Sequence, residues 1–240
     1  MAWDGKNVLA VVPARGGSKG IPRKNLTPIG GVSLVARAAQ IAATLPWIDE
    51  AIISTDDDEI MAEAIAHGLD APFVRPPELS ADGATSVDMW CHAWTMSEAH
   101  YQCEFQLSVL LEPTSPLRTP DDVERTIWAM VKGGHRAAAT VSPTPAHYTP
   151  HKTLTVTEGT IGFYLEGGPG HSLRQSIPQY FHRNGICYGV TREALIGAGQ
   201  ILEQDCAAVI IDRPVVNIDE AFELELAEFL LARQNSGGQP

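Results

Sequence analysis

Strand-like and helix-like segments alternate along most of this 240-residue chain, and this alternation constrains the fold more than any other feature. The predicted strands are 7–12, 51–54, 72–74, 107–111, 137–141, 186–190 and 208–211. The predicted helices are 33–45, with Ser33 as N-cap, 58–67, 86–99, 120–132 and 220–233. Such a rhythm is typical of a mostly parallel sheet with helices on both faces. We therefore predict an α/β fold.

The rhythm is interrupted once, between residues 142 and 183. This stretch is rich in Pro, His, Gly and Thr and contains two strand-like pieces, 154–156 and 161–165. We predict an inserted β-rich lobe or dimerisation arm, which leaves 1–141 and 184–233 as one α/β domain. The polar tail 234–240 is expected to be disordered, as chain termini often are.

Composition excludes several classes of function. The formal net charge of −12 argues against general nucleic-acid binding and against an anionic membrane surface, because both need a broad basic face. No apolar run approaches the roughly 20 residues that span a bilayer, and the polar start lacks a signal-peptide pattern. Four scattered cysteines without CxxC spacing are typical of reduced thiols, so we expect a cytoplasmic protein.

A glycine-rich, cationic loop follows the first predicted strand. Within residues 13–26 the loop carries the glycines Gly16, Gly17 and Gly20 and the cations Arg15, Lys19, Arg23 and Lys24. It matches neither GxxxxGK[ST] nor GxGxxG. Glycines nevertheless let backbone N–H groups approach an anion, and cations neutralise it. A mobile surface loop that happens to be basic is the alternative, but in an acidic protein we predict a polyphosphate site.

Three further motifs each have a structural and a functional interpretation. Asp56, Asp57 and Asp58 precede a helix, and we interpret them as N-capping residues rather than a metal or ribose site. The stretch 113–118, PTSPLR, is a rigid loop in which Arg118 has an acidic neighbour as one possible partner. Asn184-Gly185 favours a turn before the next strand.

Asn217 and Asp219 alternate along an extended segment. Alternation places both side chains on one side of the chain, which suits two oxygen ligands of one hard cation. The alternative is that Asp219 only caps the last helix.

In order along the chain, PARGGSKGIPRKNL, STDDDEI, LLEPTSPLR, NGICY and NID resemble the acylneuraminate cytidylyltransferases, the CMP-sialic acid synthetases and their relatives. The resemblance extends from residue 8 to about residue 230. It implies a nucleotidyltransferase (Rossmann-like) fold whose lobe mediates a homodimer and reaches over the partner's active site. It also implies transfer of CMP from CTP to the anomeric hydroxyl of a nonulosonic acid, with release of pyrophosphate and Mg²⁺ as cofactor.

The resemblance also implies roles for individual residues. The CTP-binding set is Arg15, Gly16, Gly17, Ser18, Lys19, Lys24, Asn25, Arg75 and Ser86, with Lys24 nearest the reacting phosphate. The sugar-binding set is Glu112, Thr114, Ser115, Lys152, Arg174, Asn184 and Tyr188, in which Lys152 and Arg174 meet the carboxylate. The metal ligands are Asp219 and Asn217, and the catalytic residues are Arg15, Lys24 and Asp219. No general base stands out, so a metal-bound or solvent base is expected.

Two residues depart from the family pattern. Glu112 stands where the sialic acid enzymes commonly carry Gln, and we hypothesise that it meets an amino- or hydroxyl-bearing part of the sugar away from the sugar's carboxylate. Asn217 stands where Asp is usual, which removes a charge and disfavours a two-metal arrangement. Two alternatives stay open: an acceptor such as legionaminic acid, pseudaminic acid, another keto sugar acid or a phosphonate, and a CTP-binding regulatory module without turnover.

Overall fold

The computed structural model describes residues 3, 5–18, 20–166, 170, 177–202 and 205–235. Its strands are β1 (Val8–Pro13), β2 (Pro28–Ile29), β3 (Val32–Ser33), β4 (Glu50–Ser54), β5 (Leu107–Leu110), β6 (Ala137–Pro143), β7 (Leu154–Thr157), β8 (Thr160–Phe163), β9 (Phe181–Thr191) and β10 (Cys206–Ile210). Its α-helices are α1 (Leu34–Ala43), α2 (Asp58–Ala66), α3 (Ser86–Tyr101), α4 (Pro120–Gly133) and α5 (Ala221–Asn235). None of the described helices is both long and apolar enough to cross a membrane.

Six strands form the central sheet in the order β10-β6-β9-β5-β1-β4. All neighbours pair in parallel except β9, which runs antiparallel to both β5 and β6. The prediction of a mostly parallel α/β sheet is therefore confirmed. The chain goes from β1 outward to β4 and then returns to β5 on the other side of β1, so the strand order reverses between β1 and β5. Open α/β sheets bind ligands at such a reversal, outside the carboxyl ends of the strands.

The side chains of β1 alternate between two cores. Val8, Ala10 and Val12 pack with helices α1, α2 and α4 on one face of the sheet. Leu9 and Val11 pack on the other face with the apolar side of α3. All five of these β1 side chains are fully buried. Because a strand that is buried on both faces needs apolar residues at successive positions, β1 could be predicted from the sequence.

Helix starts follow the capping residues that the sequence offers. The Ser33 hydroxyl accepts a hydrogen bond from the Ala36 N–H at 3.1 Å, so the predicted N-cap of α1 is confirmed. Asp57 caps α2 by accepting from two backbone N–H groups at 3.0 Å each. Thr119 and Asp122 form a reciprocal capping box at α4.

Most element boundaries lie within two residues of the predicted ones, and three differences bear on the organisation of the chain. Residues 72–74 form no strand, because Pro72 has no N–H to donate and only Asp70 makes a bridge, to Ile52 of β4. The segment predicted to start at residue 186 begins at Phe181, so Asn184-Gly185 lies inside β9 and forms no turn. Helix α5 continues to Asn235, two residues into the predicted tail; residues 236–240 lie outside the described residues.

The inserted segment is carried by a two-stranded extension of the sheet. The end of β6 pairs with the start of β9, with Val141 opposite Arg183 and Pro143 opposite Phe181. Beyond it, β7 and β8 form a separate antiparallel hairpin. This arrangement is compatible with the predicted lobe, whose exact limits remain a prediction.

Candidate active site

A cavity of about 510 Å³ opens at the carboxyl edge of the sheet, between the ends of β1 and β5. Its wall is built from the loops that follow β1, β5 and β10 and from the start of α3. The ionisable residues of the wall are Arg15, Lys24, Arg75, Asp82, Glu112 and Asp219. The cavity therefore lies at the strand-order reversal, where a ligand is expected.

The cationic loop after β1 sends two of its cations into this cavity. The Arg15 guanidinium lies 3.3 Å from the Asp82 carboxylate and also donates to the Ser80 carbonyl. The Lys24 ammonium donates to the Ile218 carbonyl at 2.8 Å and to the Asp219 carboxylate at 3.0 Å. Lys24 thus joins the first loop of the chain to the last loop before α5.

The third cation of the loop, Arg23, faces away from the cavity. It adopts a left-handed backbone conformation with φ of 57° and pairs with Asp57 at 2.7 Å and with Glu59. The neighbouring Asp56 accepts a hydrogen bond from the Gly16 N–H at 2.9 Å. These carboxylates therefore hold the loop against α2. Asp56 and Asp57 thus bind the loop in addition to the capping role that was predicted for the Asp56–Asp58 run. Lys19, the fourth cation, lies outside the described residues.

Gly20 is required by the close approach of two loops. A Cβ atom at Gly20 would overlap the main-chain oxygen of Asp219, which cannot turn aside as a flexible side chain could. Ser18 and Gly20 both line the cavity, whereas Gly16 and Gly17 do not. Gly16 instead packs on Asp57, whose Oδ2 would lie 2.7 Å from an added Cβ.

Arg75, Asn25 and Ser86 also line this cavity. Burial lowers the pKa of the Arg75 guanidinium to about 10, and its Nε donates to the Ser54 hydroxyl at 3.0 Å. Asn25 is buried and donates to the Arg15 carbonyl at 3.0 Å. Ser86 is the first residue of α3 and is exposed to the cavity.

The predicted rigid loop after β5 is fixed by Arg118. This buried guanidinium donates to the backbone carbonyls of Glu112 at 2.7 Å, Gly185 at 3.4 Å and Ile186. The hydrogen bonds of Arg118 thus go to main-chain oxygens rather than to the acidic neighbour that the sequence suggested. Thr114 lines the large cavity, and its carbonyl accepts from the Ile218 N–H at 2.9 Å.

A second cavity of about 280 Å³ adjoins the first. Glu112, Arg183 and Tyr188 are its ionisable wall residues. Burial raises the pKa of the Tyr188 hydroxyl to about 12, so this group stays protonated. The remaining wall is apolar apart from Ser86 and includes Ile201 and Leu202.

An irregularity in β9 brings Arg183 and Tyr188 to the same cavity. Tyr188 pairs with Ala139 of β6 and Arg183 pairs with Val141, so five steps along β9 face two steps along β6. The extra residues surround Gly185, which has a φ of +71°. An added Cβ there would lie 2.8 Å from Asn217 Nδ2 and 3.0 Å from Glu112 Oε2.

Asn217 and Asp219 lie next to these residues with different surroundings. Asp219 lines the large cavity and its side chain is 75% exposed. Asn217 Oδ1 is buried and has no hydrogen-bond partner among the described residues. Glu223, in the first turn of α5, accepts from the Asp219 N–H at 2.5 Å and so fixes the backbone of this segment.

The structure thus separates the predicted site residues into three groups. Those that line a cavity are Arg15, Ser18, Lys24, Asn25, Arg75, Ser86, Glu112, Thr114, Tyr188 and Asp219. Ser115 and Asn184 are buried among protein partners. The others that line neither cavity are Gly16, Gly17, Asn217 and Lys152, of which Lys152 lies in the inserted segment. Lys19 and Arg174 lie outside the described residues.

Three cavity residues escaped the sequence analysis. Arg183 directly precedes the NGICY motif, and a correct start for β9 would have drawn attention to it. Gly20 was recognised as part of the loop but not as the contact with Asp219. Asp82 lies in a polar stretch without any motif, so no sequence signal pointed to it.

Fold and site together define an α/β protein with a cavity lined by cations and carboxylates at the carboxyl edge of its sheet. The chain belongs to the cytidylyltransferase family, whose model matches residues 9–154. Over 92% of the chain and 95% of the relative it is 27% identical to a pseudaminic acid cytidylyltransferase of Campylobacter jejuni. It is also 25% identical to a CMP-N,N'-diacetyllegionaminic acid synthase of the same species, over 95% and 96% of the two chains.

A solved structure supports the fold independently. A CMP:2-keto-3-deoxy-manno-octonic acid synthetase complexed with CTP superposes with a TM-score of 0.71, covering 95% of this chain and 99% of the other at 18% identity. The resemblance to the acylneuraminate cytidylyltransferases that the motifs suggested is confirmed by these relatives.

Proposed function

We propose that the protein transfers CMP from CTP to the anomeric hydroxyl of a nonulosonic acid and releases pyrophosphate. The observation that carries this proposal is the pair of adjoining cavities that share Glu112. The larger one presents Arg15 and Lys24 to a polyphosphate, and the smaller one presents Arg183 to an acid. Relatives named for pseudaminic and legionaminic acids agree with such an acceptor.

The nucleotide half of the reaction needs positioning and charge neutralisation. Arg15 and Lys24 are paired with Asp82 and Asp219, so a triphosphate competes with these carboxylates for the two cations. Arg75 and Asn25 are held from behind by Ser54 and by the Arg15 carbonyl, respectively, which preorganises both side chains. Preorganised donors cost little reorganisation in the transition state.

We propose Mg²⁺ as the cofactor, held by Asp219 and Asn217. The buried, unpartnered Asn217 Oδ1 and the exposed Asp219 carboxylate provide two hard oxygen ligands. The described residues contain no cluster of three or more His, Cys, Asp or Glu that could hold a metal alone. This fits Mg²⁺, which usually binds one or two protein oxygens together with substrate phosphates and water. When bound, it would neutralise phosphate charge.

We further propose a homodimer formed through the inserted segment. The β7–β8 hairpin leaves Leu154, Val156, Ile161 and Phe163 between 47% and 71% exposed, which is unusual for a monomer's surface. Sedimentation at micromolar concentration is expected to give twice the chain mass, and a monomer would refute the dimer. The four free cysteines agree with a cytoplasmic location.

Pyrophosphate release from CTP tests the proposed activity. We expect release only when a nonulosonic acid is added, and loss of release on chelation that added Mg²⁺ restores. An acceptor panel of neuraminic, legionaminic and pseudaminic acids with a shorter keto sugar acid identifies the substrate. Tight CTP binding without release for any acceptor would instead support a regulatory module.

A further inference from the structure

Glu112 stands where the two cavities meet. Of the described residues, Ser86, Leu110 and Glu112 line both cavities, and Glu112 is the ionisable one of the three. If a phosphate in one cavity is to react with a hydroxyl in the other, the reacting atoms must come together at this shared wall. Glu112 is therefore the carboxylate placed closest to the point of reaction.

The Glu112 side chain is not used by the fold. Arg118 binds the backbone carbonyl of Glu112, not its carboxylate. Among the described residues, none makes a hydrogen bond or ion pair with the Glu112 carboxylate, whereas the buried Asp122 is paired with Arg213. The Glu112 carboxylate at the cavity wall can therefore accept a hydrogen bond from water or from a bound ligand.

Charged groups surround Glu112 on every side. Burial raises the pKa of its carboxyl above the usual range, and Asp219 adds to this rise. Arg118 on the same loop, Arg183 on β9 and Lys24 on the first loop oppose it. The neighbouring Tyr188 hydroxyl remains neutral. A carboxylate whose pKa is raised is a stronger base than an ordinary surface carboxylate.

We propose that Glu112 is the general base that takes the proton of the acceptor's attacking hydroxyl. This inference rests on the proposed cytidylyl transfer. The O–H bond of the hydroxyl breaks and its proton passes to a Glu112 carboxylate oxygen. The acceptor oxygen forms a bond to the α-phosphorus, and the bond from that phosphorus to the bridging oxygen of the β-phosphate breaks, so that pyrophosphate leaves with the electron pair. Water later removes the proton from Glu112.

The chemistry of the two ligands favours this role over simple anchoring. At neutral pH neither an ionised triphosphate nor an acceptor carboxylate has a proton to donate, so Glu112 faces the neutral donors of the two ligands, and the attacking hydroxyl is the one that must lose its proton in the reaction. The expectation that Glu112 must lie far from the acceptor's carboxylate assumed that no cation was near. Arg183 lines the same cavity and offsets that repulsion.

The test compares Glu112→Gln with Glu124→Gln, which makes the same change at an exposed position of α4 away from both cavities. We expect Glu112→Gln to lower kcat about 10²–10³-fold, the range for loss of a general base, with CTP affinity changed less than about twofold. The wild-type kcat falls as pH drops, because protonated Glu112 cannot accept a proton. This decrease of kcat at low pH is the acidic limb of the pH–rate profile. We expect Glu112→Gln to lose the acidic limb, and Glu124→Gln to keep both the wild-type kcat and the acidic limb.

Other outcomes overturn the assignment. A decrease in kcat below about fivefold, or a large decrease that keeps the acidic limb, would show that Glu112 only orients the acceptor. A change confined to the acceptor KM would show that it only binds. Unfolding curves check that Glu112→Gln is folded; if it is not, Glu112→Ala is used, and an unaltered pH profile with near-normal kcat refutes the role. Wild-type protein without pyrophosphate release would refute the proposed function itself, a result separate from these.

Discussion

Lys24→Ala is expected to lower kcat for CMP transfer about 10²–10³-fold, the range seen when one donor to developing charge is removed. The side chain of Lys24 is only 15% exposed, and its ammonium has three N–H donors, two of which bind Ile218 and Asp219. Its charge is therefore fixed at the cavity wall rather than averaged over solvent. Single-turnover measurement with saturating CTP isolates the chemical step.

Two variants control the Lys24 experiment. Lys24→Arg keeps the charge and is expected to retain more activity than Lys24→Ala. Lys132→Ala removes the same charge from the exposed last turn of α4 and is expected to leave the rate unchanged. If Lys24→Ala stayed within about threefold of the wild-type rate, Lys24 would have no part in catalysis.

Gly20→Ala is expected to lower kcat/KM for CTP by at least about 10²-fold. The added methyl overlaps the Asp219 main-chain oxygen, so the cationic loop and the segment that carries Asp219 must move apart. A misplacement of about 1 Å can cost 10²-fold in rate even when every catalytic side chain is still present. The measurement is steady-state kinetics together with thermal unfolding.

Gly197→Ala is the matched control for Gly20→Ala. An added Cβ at Gly197 meets only the Glu193 side chain at 3.9 Å, an ordinary contact, so normal kinetics are expected. Wild-type kinetics in Gly20→Ala would show that the contact between these two loops has no role in the site. Loss of folding alone would appear as an unfolding transition shifted far below that of the Gly197 variant.

Features that depend on residues close together in the sequence could be predicted from the sequence alone. The Ser33 cap of α1 is a local signal, because the capping hydroxyl and the N–H that it binds lie three residues apart. The strand β1 and the glycine-rich loop after it were evident for the same reason. Parallel pairing then brings the loops after β1 and β5 to one edge of the sheet, so Arg15 and Glu112 were expected on the same site.

Contacts between distant parts of the chain could not be predicted from sequence patterns. Arg118 binds carbonyls 67 and 68 residues away, and no rule of spacing connects them. The extra residues in β9 break the two-residue alternation, so Arg183 and Tyr188 face one cavity despite an odd separation. The pairing of Lys24 with Asp219 spans 195 residues. Each of these contacts is created by the tertiary fold.

The central claim is that CMP passes from CTP in the larger cavity to a sugar acid in the smaller one. Isolating the product of CTP with the preferred nonulosonic acid tests it most directly, by mass spectrometry and phosphorus NMR with quantified pyrophosphate. The account predicts one phosphodiester joining CMP to the acceptor's anomeric oxygen, formed in equal amount with pyrophosphate. Free CMP without a conjugate, or no reaction with any sugar acid despite CTP binding, would contradict it.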